Sequence, residues 1–259
     1  MNCDKIGSWL FENAEVKNRL WECDKLSKRG LLVLRLIAFL MLIEINVLAM
    51  VTYIKESPLK IFSITSVSFL FSFVTYLLIL LQYLLATKYP DSCLWKIAHC
   101  MFEVCFSFAV GLTIVFWCVV IPVLVSRSDP KAKGLENTWL EIAIRLQLHT
   151  VVFGIYLFDL YTNRIEFPFR HSVIVLCCCI IFITVYLLIS KFDKPIEDYV
   201  NWSERESIGF AGAAGALIMG AFCCAALVSE KKKARYIVQA RDGEKGKKEG
   251  SERISLDSI

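Results

Sequence analysis

Six long apolar blocks, separated by short polar linkers, constrain this chain more than any other feature. They run roughly Leu31–Tyr53, Leu59–Leu85, Ile97–Val125, Ile142–Leu160, Ser172–Ser190 and Ile208–Val228. A helix crosses a bilayer with about 20 predominantly apolar residues, and each block supplies them. In hydrocarbon every backbone N–H and C=O must be satisfied within the protein, so only helices and closed barrels qualify. Barrel strands alternate in polarity and stop after about ten residues. These blocks are too long and too uniformly apolar for that. The expected fold is all-α: a polytopic membrane bundle with six transmembrane helices. The linkers hold the turn formers, namely Pro58, Tyr89-Pro90-Asp91, Ser128-Asp129-Pro130 and Asp193-Lys194-Pro195. No internal repeat is visible, which counts against a transporter built from two related halves.

Composition agrees. Hydrophobic residues make up 56% of the chain and charged residues 21%, against about 45–50% apolar residues in a soluble domain. The 12 glycines and 6 prolines are too few for a disordered or collagen-like chain. A net charge of +4 is small and unevenly placed, so it speaks of topology and not of a nucleic-acid partner. Lysine and arginine crowd into residues 1–30, the linkers with Lys88/Lys96 and Arg164/Arg170, and the tail beyond Glu230. The positive-inside rule then puts both termini in the cytosol, with the endoplasmic reticulum and the plasma membrane as the two candidate locations. The expected organisation is a cytosolic N-terminal segment (1–30), a six-helix transmembrane domain (31–228) and a basic, disordered cytosolic tail (229–259). Residues 1–30 lack the apolar core of a cleavable signal peptide. The Lys231–Arg235 cluster reads as a stop-transfer flank, or as a site for anionic lipid heads. Most of the 11 cysteines lie in apolar runs without zinc-type spacing and read as small hydrophobes. No metal and no cofactor is expected.

Polar groups inside such blocks are costly and usually face the bundle interior. In the fourth block Glu141, Arg145 and His149 fall four residues apart on one helical face, which Val152 and Tyr156 continue. Glu141 and Arg145 form a favourable pair. His149 is left in the apolar part, where a neutral imidazole can accept a proton or hydrogen-bond to a neighbouring helix. In the second block Thr65, Ser68, Ser72 and Thr75 form a hydroxyl stripe, with Ser63 and Ser66 on flanking faces. Such hydroxyls can also spend themselves on backbone carbonyls and helix packing. Thr65 and His149 lie six and seven residues into their blocks from the same side, both about 10 Å below the interface. A nucleophilic hydroxyl and an imidazole at matched depth could meet. His99 and Glu103 pair at four-residue spacing in the third block, and read as an interfacial anchor because no third ligand is visible. Glu44 lies mid-span in the first block and is expected protonated or paired, with Arg145 one option. Gly212, Ala216 and Gly220 form a close-packing face in the sixth.

The stretch after His149-Thr150 carries a longer pattern: Asp159 ten positions after the histidine, then Arg164 and the pair Phe167-Pro168. With Phe108-Ala109-Val110-Gly111 and Phe116-Trp117 in the third block, it resembles the androgen-induced and ADTRP-like family of multi-pass membrane proteins. Span count and hydropathy follow that family over roughly Leu31–Arg235. Lys194-Pro195-Ile196 only loosely echoes the family's tyrosine-proline segment, and the residues around Thr65 match poorly. The resemblance implies a hydrolase of fatty acid esters of hydroxy fatty acids that uses a threonine nucleophile and a histidine. It implies His149 as the base and Thr65 as the nucleophile, with Ser63 as the alternative register. Ser68 and Ser72 then match polar positions after the threonine, and Arg145, Tyr156 and Asp159 are expected to bind substrate or support the site. The partner would be a membrane lipid or lipid ester; an oligomeric partner is unspecified. The alternative is a non-catalytic membrane protein, either a transporter or an assembly partner.

Overall fold

The computed structural model describes residues 26–56, 64–85, 94–122, 135–162, 165–192 and 209–234. Ser63, most of the expected N-terminal segment and the tail beyond 234 lie outside the described residues. The side chains of Thr65, Glu141 and Arg145 also lie outside the description, although their backbones are helical.

Six helices account for nearly all of it: α1 (Lys28–Glu56), α2 (Ile64–Leu85), α3 (Leu94–Val115), α4 (Leu135–Thr162), α5 (Ser172–Phe192) and α6 (Gly209–Ala234). No strand occurs among the described residues. Four stretches are long and apolar enough to cross a membrane: Lys28–Val51, Ser66–Leu85, Leu94–Val119 and Gly209–Ala234. They suit a multi-pass membrane protein. The α4 helix is continuous but carries the charged residues Glu141, Arg145 and Asp159, and the apolar stretch of α5, Phe169–Val185, is shorter.

The centre of the bundle is α3, 72% buried over its apolar window against 22% for α1. Its sequence explains this, because Phe102, Val104, Cys105, Phe106, Phe108 and Ala109 put apolar side chains on most of its circumference, and the polar residues it does carry, His99, Glu103 and Ser107, are buried as well. On α1 most outward residues are apolar too: Val33, Leu36, Leu40 and Val47 are exposed. Water would penalise so large a patch, whereas lipid does not.

Glycine decides where helices touch. A Cβ at Gly111 of α3 would stand 2.6 Å from the Ile218 side chain and 2.9 Å from its backbone, so α3 and α6 meet there at backbone distance. Gly212 and Gly220 have open space where a side chain would go, and Ala216 is exposed. The expected close-packing face of α6 is thus turned away from the bundle. The face that packs holds Ala211, Ala214, Ile218, Phe222 and Ala225.

One end of the bundle is tied by the carboxyl ends of α4 and α6. Lys232 Nζ donates to the carbonyls of Leu160 and Tyr161, the last turn of α4, where a cation also suits the helix dipole. The Phe167 amide donates to Ser229 Oγ at 3.1 Å, and Lys233 lies 3.4 Å from Glu166. The α6 helix therefore continues past residue 228 to Ala234, and two lysines of the basic cluster hold the protein's own chain.

Candidate functional site

Among the described residues, three groups of buried polar side chains bear on function, each assembled from a different set of elements.

The first joins α1, α2 and α4. Arg35 is 1% exposed. Its Nε lies 3.4 Å from Asp159 Oδ1, and Tyr76 Oη donates to Asp159 Oδ2 at 2.8 Å. A buried cation and carboxylate are tolerable only together and hydrogen-bonded. This group closes one end of a cavity of about 400 Å³ between α1 and α4. Its wall is otherwise apolar, with Ala38, Met41, Val151 and Ile155, and it includes Gly154 and Thr150. At Gly154 nothing lies within 4 Å of where a Cβ would stand. The glycine leaves the groove open.

The second group is His149 and its neighbours. The imidazole is 8% exposed. It stacks on Phe116, with ring centroids 4.1 Å apart and planes 16° apart, and meets Phe69 edge-on at 5.7 Å. Thr113 Oγ1 donates to the His149 carbonyl at 3.3 Å. Phe116 opens a wide turn over Phe116–Val120, in which the Ile121 amide donates to the Phe116 carbonyl five residues back. Single π-type turns inside α-helices recur at functional sites, and this one presents the ring that covers His149.

The third group sits on α3 and on the turn before α5. His99 and Glu103 are one helical turn apart, and His171 closes the 3-10 turn Phe169–His171. His171 Nδ1 lies 2.6 Å from Glu103 Oε2, and His99 Nε2 lies 3.1 Å from Glu103 Oε1. All three residues are at most 2% exposed. The sequence pairs His99 with Glu103 but offers no third ligand. His171, 68 positions from Glu103, arrives through the fold. All three histidines of the chain are thus buried.

The expected site residues divide among these groups. Asp159 belongs to the first. Tyr156 is fully buried in an aromatic cluster with Phe102 at 5.3 Å and Tyr76 at 5.7 Å, beside Ser72 and Cys105. Ser72 Oγ donates to the Ser68 carbonyl at 2.9 Å, and Thr75 Oγ1 to the Phe71 carbonyl at 2.8 Å. Both hydroxyls bond to their own helix, and Thr75 Oγ1 also lies 3.2 Å from Cys105 Sγ on α3. Glu44 is exposed on the outer face of α1. Arg35, Tyr76 and His171 were not singled out from sequence. Arg35 carried a signal, as a cation inside an apolar span, whereas Tyr76 and His171 carried none.

Compared with protein-family models, curated protein sequences and solved structures, the chain shows no match.

Proposed function

We propose that this chain is a six-span integral membrane hydrolase that cleaves fatty acid esters of hydroxy fatty acids. The observation that carries the reading is His149, an imidazole clamped between Phe69 and Phe116 in an apolar interior, next in the chain to the cavity wall at Thr150.

Support for the nucleophile comes from the Phe69 contact. Position 65 is one turn before Phe69 on α2, about 6 Å along the axis and on the same face. A side chain on α4 leans toward the start of its helix, which in alternating crossings is also the end of the bundle where α2 starts. In the proposed reaction His149 takes the proton of the Thr65 hydroxyl as that oxygen attacks the ester carbonyl. The carbonyl–alkoxy bond breaks, and the departing hydroxy fatty acid takes the proton back from His149. Water then hydrolyses the acyl-threonine and releases the fatty acid. The 400 Å³ groove between α1 and α4 would take an acyl chain along its apolar wall. Arg35, Tyr76 and Asp159 would meet the polar part of the lipid at its end.

Alternating crossings are supported by the residues that meet at one end. They come from the starts of α1, α3 and α5 and the later parts of α2, α4 and α6: Arg35, Tyr76 and Asp159, His99 and His171, and Phe167 with Ser229. Six antiparallel spans give this pattern and put both termini on one side, which the basic residues assign to the cytosol. The outward Glu44 speaks against a transport pathway lined by that residue.

The test is labelling of the full chain in detergent micelles with a fluorophosphonate probe, alongside release of fatty acid from a hydroxy fatty acid ester. Thr65→Ala and His149→Ala are expected to lose both signals, and Ser63→Ala to keep them. Labelling that persists in all three variants would sink the assignment.

A further inference from the structure

We propose that His99, Glu103 and His171 form a binding site for one divalent transition-metal ion of the zinc class, separate from the hydrolase centre. Two neutral imidazoles and one carboxylate are a donor set for such ions, which favour nitrogen and oxygen ligands.

The geometry points to a ligand. One donor atom from each residue can be chosen so that all three lie within 4.8 Å of one another. Bonds of about 2.0–2.2 Å in a tetrahedral site set neighbouring donors about 3.4 Å apart. Rotations that move the donors by roughly 1 Å would close the shell. The histidine rings stand edge to face, with centroids 5.8 Å apart, on either side of the Glu103 carboxylate.

The hydrogen-bond accounting points the same way. His171 Nδ1 and Glu103 Oε2 are matched at 2.6 Å. His99 Nε2 and Glu103 Oε1 face each other at 3.1 Å, yet among the described residues neither atom has a hydrogen-bond partner, and His99 Nδ1 has none either. Leaving buried polar atoms unmatched is costly. An ion placed among the three residues takes lone pairs from both Nε2 and Oε1 and removes that cost. Three protein ligands leave at least one coordination position for water or a small ligand.

The position in the fold separates this site from His149. Glu103 is ten residues from Thr113 along α3, about 15 Å of rise, and Thr113 is the residue that bonds to the His149 carbonyl. An ion here would pin the start of α3 to the turn that opens α5. Metal binding and esterase chemistry can therefore fail independently.

The experiment uses the full chain in detergent, stripped with a chelator and reloaded with Zn²⁺ or Co²⁺. The wild type is expected to retain about one equivalent of zinc after desalting, and to show the ligand-field absorption of low-symmetry Co²⁺. Its melting temperature should fall on chelation and recover on reloading. His171→Gln and Glu103→Gln are expected to weaken binding at least about tenfold and to melt at a temperature indifferent to chelator. Thr65→Ala, by contrast, should load like wild type while losing esterase activity. If the wild type retains no stoichiometric zinc and gives no Co²⁺ band, the three residues are a hydrogen-bonded cluster only and the proposal falls. It also falls if both glutamine variants bind as wild type does. Should the variants fail to fold, the wild-type titration decides alone.

Discussion

The two ends of the bundle use polar residues in opposite ways. At the end where α4 and α6 finish, polar groups are matched across elements: Arg35 with Asp159, Lys232 with the α4 carbonyls, and Glu103 with His171. Each pair satisfies a group that would otherwise be stranded in an apolar medium. Toward the other end His149 is packed by aromatic rings, with Phe116 on one face and Phe69 on an edge. Polar matching fixes how helices meet. Ring packing holds the His149 imidazole in one orientation.

The largest effect that would break this comparison is catalytic. His149→Ala should lower ester hydrolysis by about 10²–10⁴-fold, the usual worth of a general base, and Thr65→Ala at least as much. Thr65→Ala should leave the melting temperature in detergent close to wild type, whereas removing the buried His149 ring should also lower it by the cost of the cavity left between Phe69 and Phe116. A loss of fold with no selective loss of rate would make His149 a packing residue.

Next comes charge matching. Asp159→Asn keeps shape and a hydrogen-bond acceptor for Tyr76 but removes the carboxylate beside a buried guanidinium. It should destabilise by about 3–5 kcal/mol. The double variant Arg35→Met, Asp159→Asn should recover much of that loss, since no cation is then left buried. Equal losses in the single and double variants would show that the pair contributes nothing through charge.

Helix contact is smaller again. Gly111→Val would drive a side chain into Ile218, already 2.6 Å from an added Cβ, and should cost about 1–3 kcal/mol as an overpacked contact does. Gly154→Ala meets nothing within 4 Å and should change stability by less than about 0.5 kcal/mol. Gly154→Phe, filling the same groove, should raise KM for a long-chain ester while leaving stability near wild type. An unchanged KM would remove the α1–α4 groove from the substrate's path.

Much of the architecture is legible in the chain itself. Apolar runs of spanning length force helices, because lipid offers the backbone no partner, and the described part of each of the six expected blocks is helical. The polar stripe of α2 was legible as a stripe but not in its use. Ser72 and Thr75 bond to their own helix, and Thr75 also meets Cys105 of α3, a choice that depends on which neighbour is within reach. Asp159 could be named as a site residue, but its partners could not. Arg35 is 124 positions away and Tyr76 is 83, and nothing local relates them.

The sequence alone determined that this protein is helical, apolar on its outer surface and basic toward its termini, because those properties follow from each segment's own composition. Only the tertiary structure decided that His171 joins His99 and Glu103, that Arg35 meets Asp159, and that Gly111 is a contact while Gly212 and Gly220 face outward. The physical reason is that contacts between helices depend on the rotation and depth of each helix. A rotation of 100° or a shift of one residue, 1.5 Å, exchanges one side chain for the next. Spacing within one segment carries no information about either quantity in another.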